Sequence, residues 1–191
     1  MKAAMVRRNV LTVVGAAAMG LAMVMPALAA DPEPDTAAMS AVVNPGTLSF
    51  TSVSVGEFEA TTIDGQAHSP KASLATFDVS DFRGTGVGWN VMVQADQFIN
   101  AVESHTLPAG SFSMAAPTAV AKEGTTSPAP TMAAGPYDID VPGGKQIGSA
   151  GADEGMGAYT ISSAELTLEL PSTIYAGSYT STLTVTVQSA P

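Results

Sequence analysis

Cysteine is absent from this 191-residue chain, which excludes disulfide staples and thiolate metal sites. Basic residues are nearly as scarce, with seven Lys and Arg against seventeen Asp and Glu. Such a balance repels nucleic acid phosphates and anionic lipid headgroups, so neither is an expected partner. There are only two histidines. His68 and His105 stand apart in loop-like segments, without zinc-ligand spacing and without a G-x-S-x-G elbow. No catalytic histidine, metal or cofactor follows from them, and an enzyme is not expected. Helical periodicity is almost missing, and only one apolar run approaches membrane-spanning length.

That run lies at the N-terminus. Lys2, Arg7 and Arg8 precede the apolar stretch Val10 to Met25, and Pro26-Ala27-Leu28-Ala29-Ala30 follows with small residues at A-x-A spacing. The pattern predicts a secretory signal peptide over residues 1–30 and a secreted, extracellular product without a membrane span after cleavage. Cleavage leaves Lys71, Arg83, Lys122 and Lys145 as the four cations against seventeen acids, a formal net charge of −13. Residues 31–44 begin Asp31-Pro32-Glu33-Pro34-Asp35 and are expected to form a flexible acidic arm. Residues 45–191 are long enough to bury a core as one domain.

What is present is strand pattern and turn chemistry. Leu48 and Phe50 share one parity and Val53 and Val55 the other, which predicts a break near Thr51-Ser52. Phe58 to Ile63 is a short strand candidate, closed by the turn pair Asp64-Gly65. Leu74 to Val79 alternates as a strand, and Trp89, Val91 and Val93 alternate with Asn90, Met92 and Gln94. Asp96 to Glu103 fits a short helix or an irregular connection. Ser111 to Met114, Lys145 to Ile147 and Ala158 to Ile161 are further strand candidates. Ala115 to Pro136, rich in Ala, Thr, Pro and Gly, has no period and is expected to be a long loop. Leu166, Leu168 and Leu170 alternate with Glu165, Thr167 and Glu169. From Tyr179 to Val187, apolar positions alternate with threonines. Eight or nine short strands between turn signals predict an all-β, antiparallel β-sandwich of Ig-like or Greek-key type, with long loop insertions.

Chemistry concentrates in Asp78–Val93, DVSDFRGTGVGWNVMV, which holds the only tryptophan. Trp89 suits a stacking platform for a sugar ring, or a core anchor placed inward with Val91 and Val93. Arg83, with Asp78 and Asp81, could bind a carboxylate, or form a corner salt bridge through its bidentate fork. Trp89, Arg83, Asp81 and Asp78 are therefore the candidate ligand-binding residues. Gly84, Gly86 and Gly88 lack the dinucleotide spacing and no helix follows, so positive φ or close backbone approach is their expected work. Asp138, Asp140, Asp153 and Glu154 are oxygen-rich but lack EF-hand spacing. Leu170-Pro171-Ser172-Thr173-Ile174 imitates a sortase signal without its glycine, membrane segment or basic tail, so covalent wall anchoring is not expected.

With these pieces placed, the sequence resembles the WxL-domain family of secreted bacterial cell-surface proteins. The match rests on PGTLSF (Pro45 to Phe50), DVSDFRGTGVGWNVMV, GADEGMGAYT (Gly151 to Thr160), LTLELP (Leu166 to Pro171) and YAGSYTSTLTVTVQSAP (Tyr175 to Pro191). The first Trp-x-Leu motif stands here as Trp89-Asn90-Val91, and the second position is Val185-Thr186-Val187, without tryptophan. The resemblance implies a β-rich domain that attaches non-covalently to the Gram-positive cell wall, with peptidoglycan as ligand and other surface proteins as partners. The alternative is a structural or adhesive subunit that pairs through its strands or sheets.

Overall fold

Strand β4 (Trp89–Ala95) shows how the pattern becomes a fold. In the computed structural model, which describes residues 39–190, Trp89, Val91, Val93 and Ala95 are buried while Asn90, Met92 and Gln94 are not. A slip of one residue would bring out three fully buried side chains, each contributing about 1.5–3 kcal/mol by burial, and draw in Asn90 and Gln94. The register is therefore pinned. The signal peptide assigned to residues 1–30, and the acidic arm as far as residue 38, lie outside the described residues. Among the described residues no helix is long and apolar enough to cross a membrane.

Fourteen strands, numbered in chain order, and no helix form among the described residues, and every ladder is antiparallel. One sheet runs β1 (Leu48–Phe50), β3 (Phe77–Asp81), β12 (Gly157–Ile161), β8 (Ala119–Ala121). A second runs β10 (Tyr137–Asp138), β7 (Phe112–Met114), β13 (Ala164–Leu168), β2 (Lys71–Leu74). The third runs β14 (Leu183–Ser189), β4, β11 (Lys145–Ala150), β9 (Thr131–Met132). Strands β5 (Ile99–Asn100) and β6 (His105–Thr106) form a hairpin of their own. Phe77 and Val79, Trp89 to Val93, Phe112 and Met114, Tyr159 and Ile161, and Leu166 and Leu168 close on one core. Ile139 stitches two sheets together, donating to the Phe112 carbonyl at 2.9 Å and accepting from the Ala95 N–H at 2.7 Å. The fold is all-β and of sandwich type.

Three local expectations change and one alternative is decided. Leu74 to Val79 is two strands rather than one: β2 ends at Leu74 in the second sheet and β3 begins at Phe77 in the first. The switch explains how Leu74 and Phe77, of opposite parity, are both buried. Phe58 to Ile63 forms no strand. Of the two readings of Asp96 to Glu103 the irregular connection holds, carrying the two-residue β5 and the turn into β6. Ala115 to Pro136 is not an unstructured loop, since it contributes β8 beside β12 and β9 beside β11. The break expected near Thr51-Ser52 is present: β1 stops at Phe50 beside β3, and Val55 bridges instead to Leu74 of β2 in the second sheet.

Candidate functional site

The corner between β3 and β4 brings Arg83 and Asp81 together. Arg83 Nε donates to Asp81 Oδ1 and Nη2 to Asp81 Oδ2, each at 2.8 Å. The same guanidinium donates to the Gly88 carbonyl at 2.7 Å and to Ser189 Oγ at 2.7 Å. One side chain thus ties the end of β3, the glycine-rich turn and the end of β14. The Arg83 bonds hold the Asp81 carboxyl below the usual carboxylate range, against the opposing effect of its burial. Gly84, Gly86 and Gly88 all take positive φ, and at Gly88 (φ 74°) a Cβ would sit 2.2 Å from the Ala150 carbonyl oxygen. Only glycine passes there.

Asp78 is not part of this pair. It points to the opposite side of β3, where Oδ2 accepts from Lys122 Nζ at 2.6 Å and Oδ1 from Thr160 Oγ1 at 2.8 Å. The Lys122 bond is the main reason that its carboxyl is also lowered. Period-two geometry accounts for this separation, with Asp78 and Asp81 three residues apart on opposite faces of one strand.

Trp89 has no exposed surface, so no sugar ring can stack on it in this arrangement. Its Nε1–H donates to the Gly155 carbonyl at 2.9 Å, and its ring centroid lies 6.2 Å from that of Tyr159. Part of the Ala115 to Pro136 connection binds the Tyr159 side of this pair. The Tyr159 hydroxyl lies 3.0 Å from the Ser127 carbonyl and 3.1 Å from that of Pro128, while Thr125 Oγ1 donates to Ala158 O at 3.1 Å. Burial pushes the Tyr159 phenol above its ordinary pKa. Val185-Thr186-Val187 lies directly beside β4, with Val185 opposite Val93 and Val187 opposite Val91. The two motif positions are therefore neighbours on adjacent strands, and Val185 faces the same core as Trp89.

The other acids serve the loops. Buried Asp140 accepts the N–H groups of Gly110 at 2.8 Å and Phe112 at 3.2 Å, and Glu154 accepts that of Gly151 at 3.0 Å. Among the described residues no group of three His, Asp or Glu gathers as a metal site.

An open groove of about 730 Å³ lies elsewhere, between the Phe58–Ile63 segment and the turn that follows β13. Leu168, Leu170 and Ile174 supply apolar lining, and Thr62, Gln66 and Ser178 supply hydroxyl and amide groups. His68 lines it too, with Nε2 2.8 Å from Asp64 Oδ1. The Asp64 carboxyl is lowered chiefly by the Gln66 backbone N–H and next by His68. Tyr175, 61% exposed, stands at this groove with its ring stacked flat on His105, centroids 3.7 Å apart and planes 8° from parallel. The sequence held no signal for that pairing. It arises because β5 bridges to Thr180 through hydrogen bonds of 3.0 Å in both directions, which sets the hairpin bearing His105 against the turn bearing Tyr175.

A protein-family model described as "WxL domain surface cell wall-binding" matches residues 23–191. No curated protein matches the chain. A solved structure of a family 123 glycoside hydrolase from Clostridium perfringens, reported for glycolipid glycan hydrolysis, aligns at 17% identity with a TM-score of 0.32. The alignment covers 75% of this chain and 25% of that one, so the chain spans a quarter of that enzyme's length. Similarity at that level supports no argument about fold or activity.

Proposed function

Because this chain belongs to the WxL family of surface cell wall-binding domains, we propose that it is a non-enzymatic surface protein that binds peptidoglycan directly and non-covalently. Its place is the cell surface or cell wall. One observation carries the reading: the family match spans every described strand. That extent supports placing the wall-binding property on the β-domain. The net charge disfavours polyphosphate wall polymers as ligands, which the seventeen acids would repel. Of the residues first singled out, Asp81, Arg83 and Trp89 shape the domain, and ligand contact is left to its exposed surface. The protein in its exported form is expected to sediment with purified peptidoglycan from which anionic polymers have been stripped. Retention no greater than that of an unrelated acidic β-protein would sink the reading.

A second reading rests on β14. It lies at the end of its sheet, pairs with β4 in unbroken register over Leu183 to Ser189, and contains no proline or charged residue. Strand edges are ordinarily blunted by such residues or by bulges. β1 approaches β14 from the first sheet, and the edge left open beyond that approach suits pairing with an extended segment of another surface protein or a second copy. Under this reading, light scattering gives a mass that rises with concentration, and Thr186→Lys holds the protein at monomer mass. A constant monomer mass in the unsubstituted protein argues against self-pairing.

A further inference from the structure

Resting on the peptidoglycan reading, we infer that the groove beside Tyr175 is the seat of the glycan strand, with one sugar ring stacked on the Tyr175 face that His105 leaves open. The first ground is the ring itself. A tyrosine 61% exposed is ordinarily free to rotate, but this one is stacked on His105 at 3.7 Å and 8°. Its turn is held as well. Tyr179 Oη donates to the Tyr175 carbonyl at 3.2 Å, and Asn100 Nδ2 donates to that of Ala176 at 3.4 Å. Gly177 packs so closely on Asn100 that a Cβ would meet Nδ2 at 2.1 Å. An exposed aromatic plane fixed before binding forfeits little entropy when a ligand arrives.

The second ground is the chemistry of the lining. The axial C–H groups of a pyranose carry partial positive charge and pack on the negative face of an aromatic ring. In the same groove, Thr62, Gln66 and Ser178 can donate to and accept from sugar hydroxyls and acetamido groups. Leu170 and Ile174 offer apolar surface to an acetyl methyl. The groove's volume falls in the range of small-ligand sites, about 300–1,000 Å³. Its lining contains Glu59 but no Lys or Arg. Polyphosphate wall polymers are recognised by those cations, so the lining selects an uncharged N-acetylated glycan.

The test measures retention on stripped peptidoglycan together with NMR titration by tetra-N-acetylchitotetraose. The unsubstituted protein should be retained, and the Tyr175 and His105 ring resonances should move on titration. Tyr175→Ala should weaken retention by about tenfold, as loss of a central aromatic contact does, while Tyr175→Phe stays within about twofold because the ring is kept. His105→Ala should fall between them. Trp89 is buried away from the groove, so unchanged fluorescence certifies the fold of each variant. A protein that is retained equally with Tyr175→Ala overturns the seat and leaves peptidoglycan binding standing. Binding that requires anionic polymers on the wall overturns the glycan assignment. A protein not retained on any wall preparation overturns both the seat and the reading beneath it.

Discussion

Replacing Trp89 by alanine is expected to remove about 4 kcal/mol of stability, within the ordinary range for deleting a buried tryptophan. The side chain has no contact with water and lies in the cluster that all three main sheets share. Collapse into the space is restricted on two sides. Ala150 and Gly155 approach so closely that a Cβ on Gly155 would meet Trp89 Nε1 at 2.6 Å, and Tyr159 is tilted against the indole at 55°. Domains are stable by only about 5–15 kcal/mol, so the loss is a large share. Trp89→Phe keeps most of the ring but leaves the Gly155 carbonyl without its donor, which costs about 1–3 kcal/mol. Urea unfolding midpoints read both variants. At a temperature where Trp89→Ala is still folded, it should be retained on the wall like the unsubstituted protein. Near-normal stability with retention lost would instead make the indole a ligand contact.

Arg83→Ala carries the second large effect, a loss of about 3 kcal/mol, because removing one partner of a buried ion pair strands the other. The low end of the range applies because the Arg83 side chain is 17% exposed while that of Asp81 is 1% exposed, so water partly serves the pair. For a domain of this size the melting temperature should fall by roughly 10 °C. Lysine in its place should recover little, since one ammonium cannot reproduce the fork to Asp81, Gly88 and Ser189.

The pH dependence carries a definite sign. Asp81 is lowered in the folded protein, so the stabilisation from its pairing is present above the unfolded carboxylate value, about 3.9, and disappears as pH falls through the folded one. The gap between the parent and Arg83→Ala should therefore be widest near neutrality and narrow below about pH 4. Asp64 and Asp78, also lowered, give both proteins the same background of acid sensitivity. Thermal melts across pH 2–7 measure it, and a gap that widens on acidification would refute the role assigned to the pair.

Much of the fold was legible because burial imposes period two. Trp89 to Val93 and Leu166 to Leu168 alternate in sequence and do so in space. Backbone constraint was equally readable, since Gly84, Gly86 and Gly88 could be expected to take the positive φ they show. Short elements escaped for a physical reason. Strands of two or three residues, such as β8 and β9, have no period to display and exist only because Val120 and Thr131 find partners at Thr160 and Ser149. The sheet switch at Ala75-Thr76 imitated an unbroken alternation, because side-chain parity does not record which sheet a strand joins. Asp78 is a different case: it was grouped with Arg83 by closeness in sequence, although its odd spacing from Asp81 already placed the two on opposite faces of β3.

By itself, then, the sequence determined an acidic, cysteine-free all-β domain, its strand faces and its family, because these follow from composition and from contacts between near neighbours. Only the tertiary structure decided that Trp89 is buried beside Tyr159, whose hydroxyl bonds the Ser127-Pro128 segment, that the two motif positions lie side by side, and that Tyr175 stands locked on His105 at an open groove. Each depends on pairing between residues tens of positions apart. Such partners are chosen by long-range packing and hydrogen bonding, which local pattern does not encode.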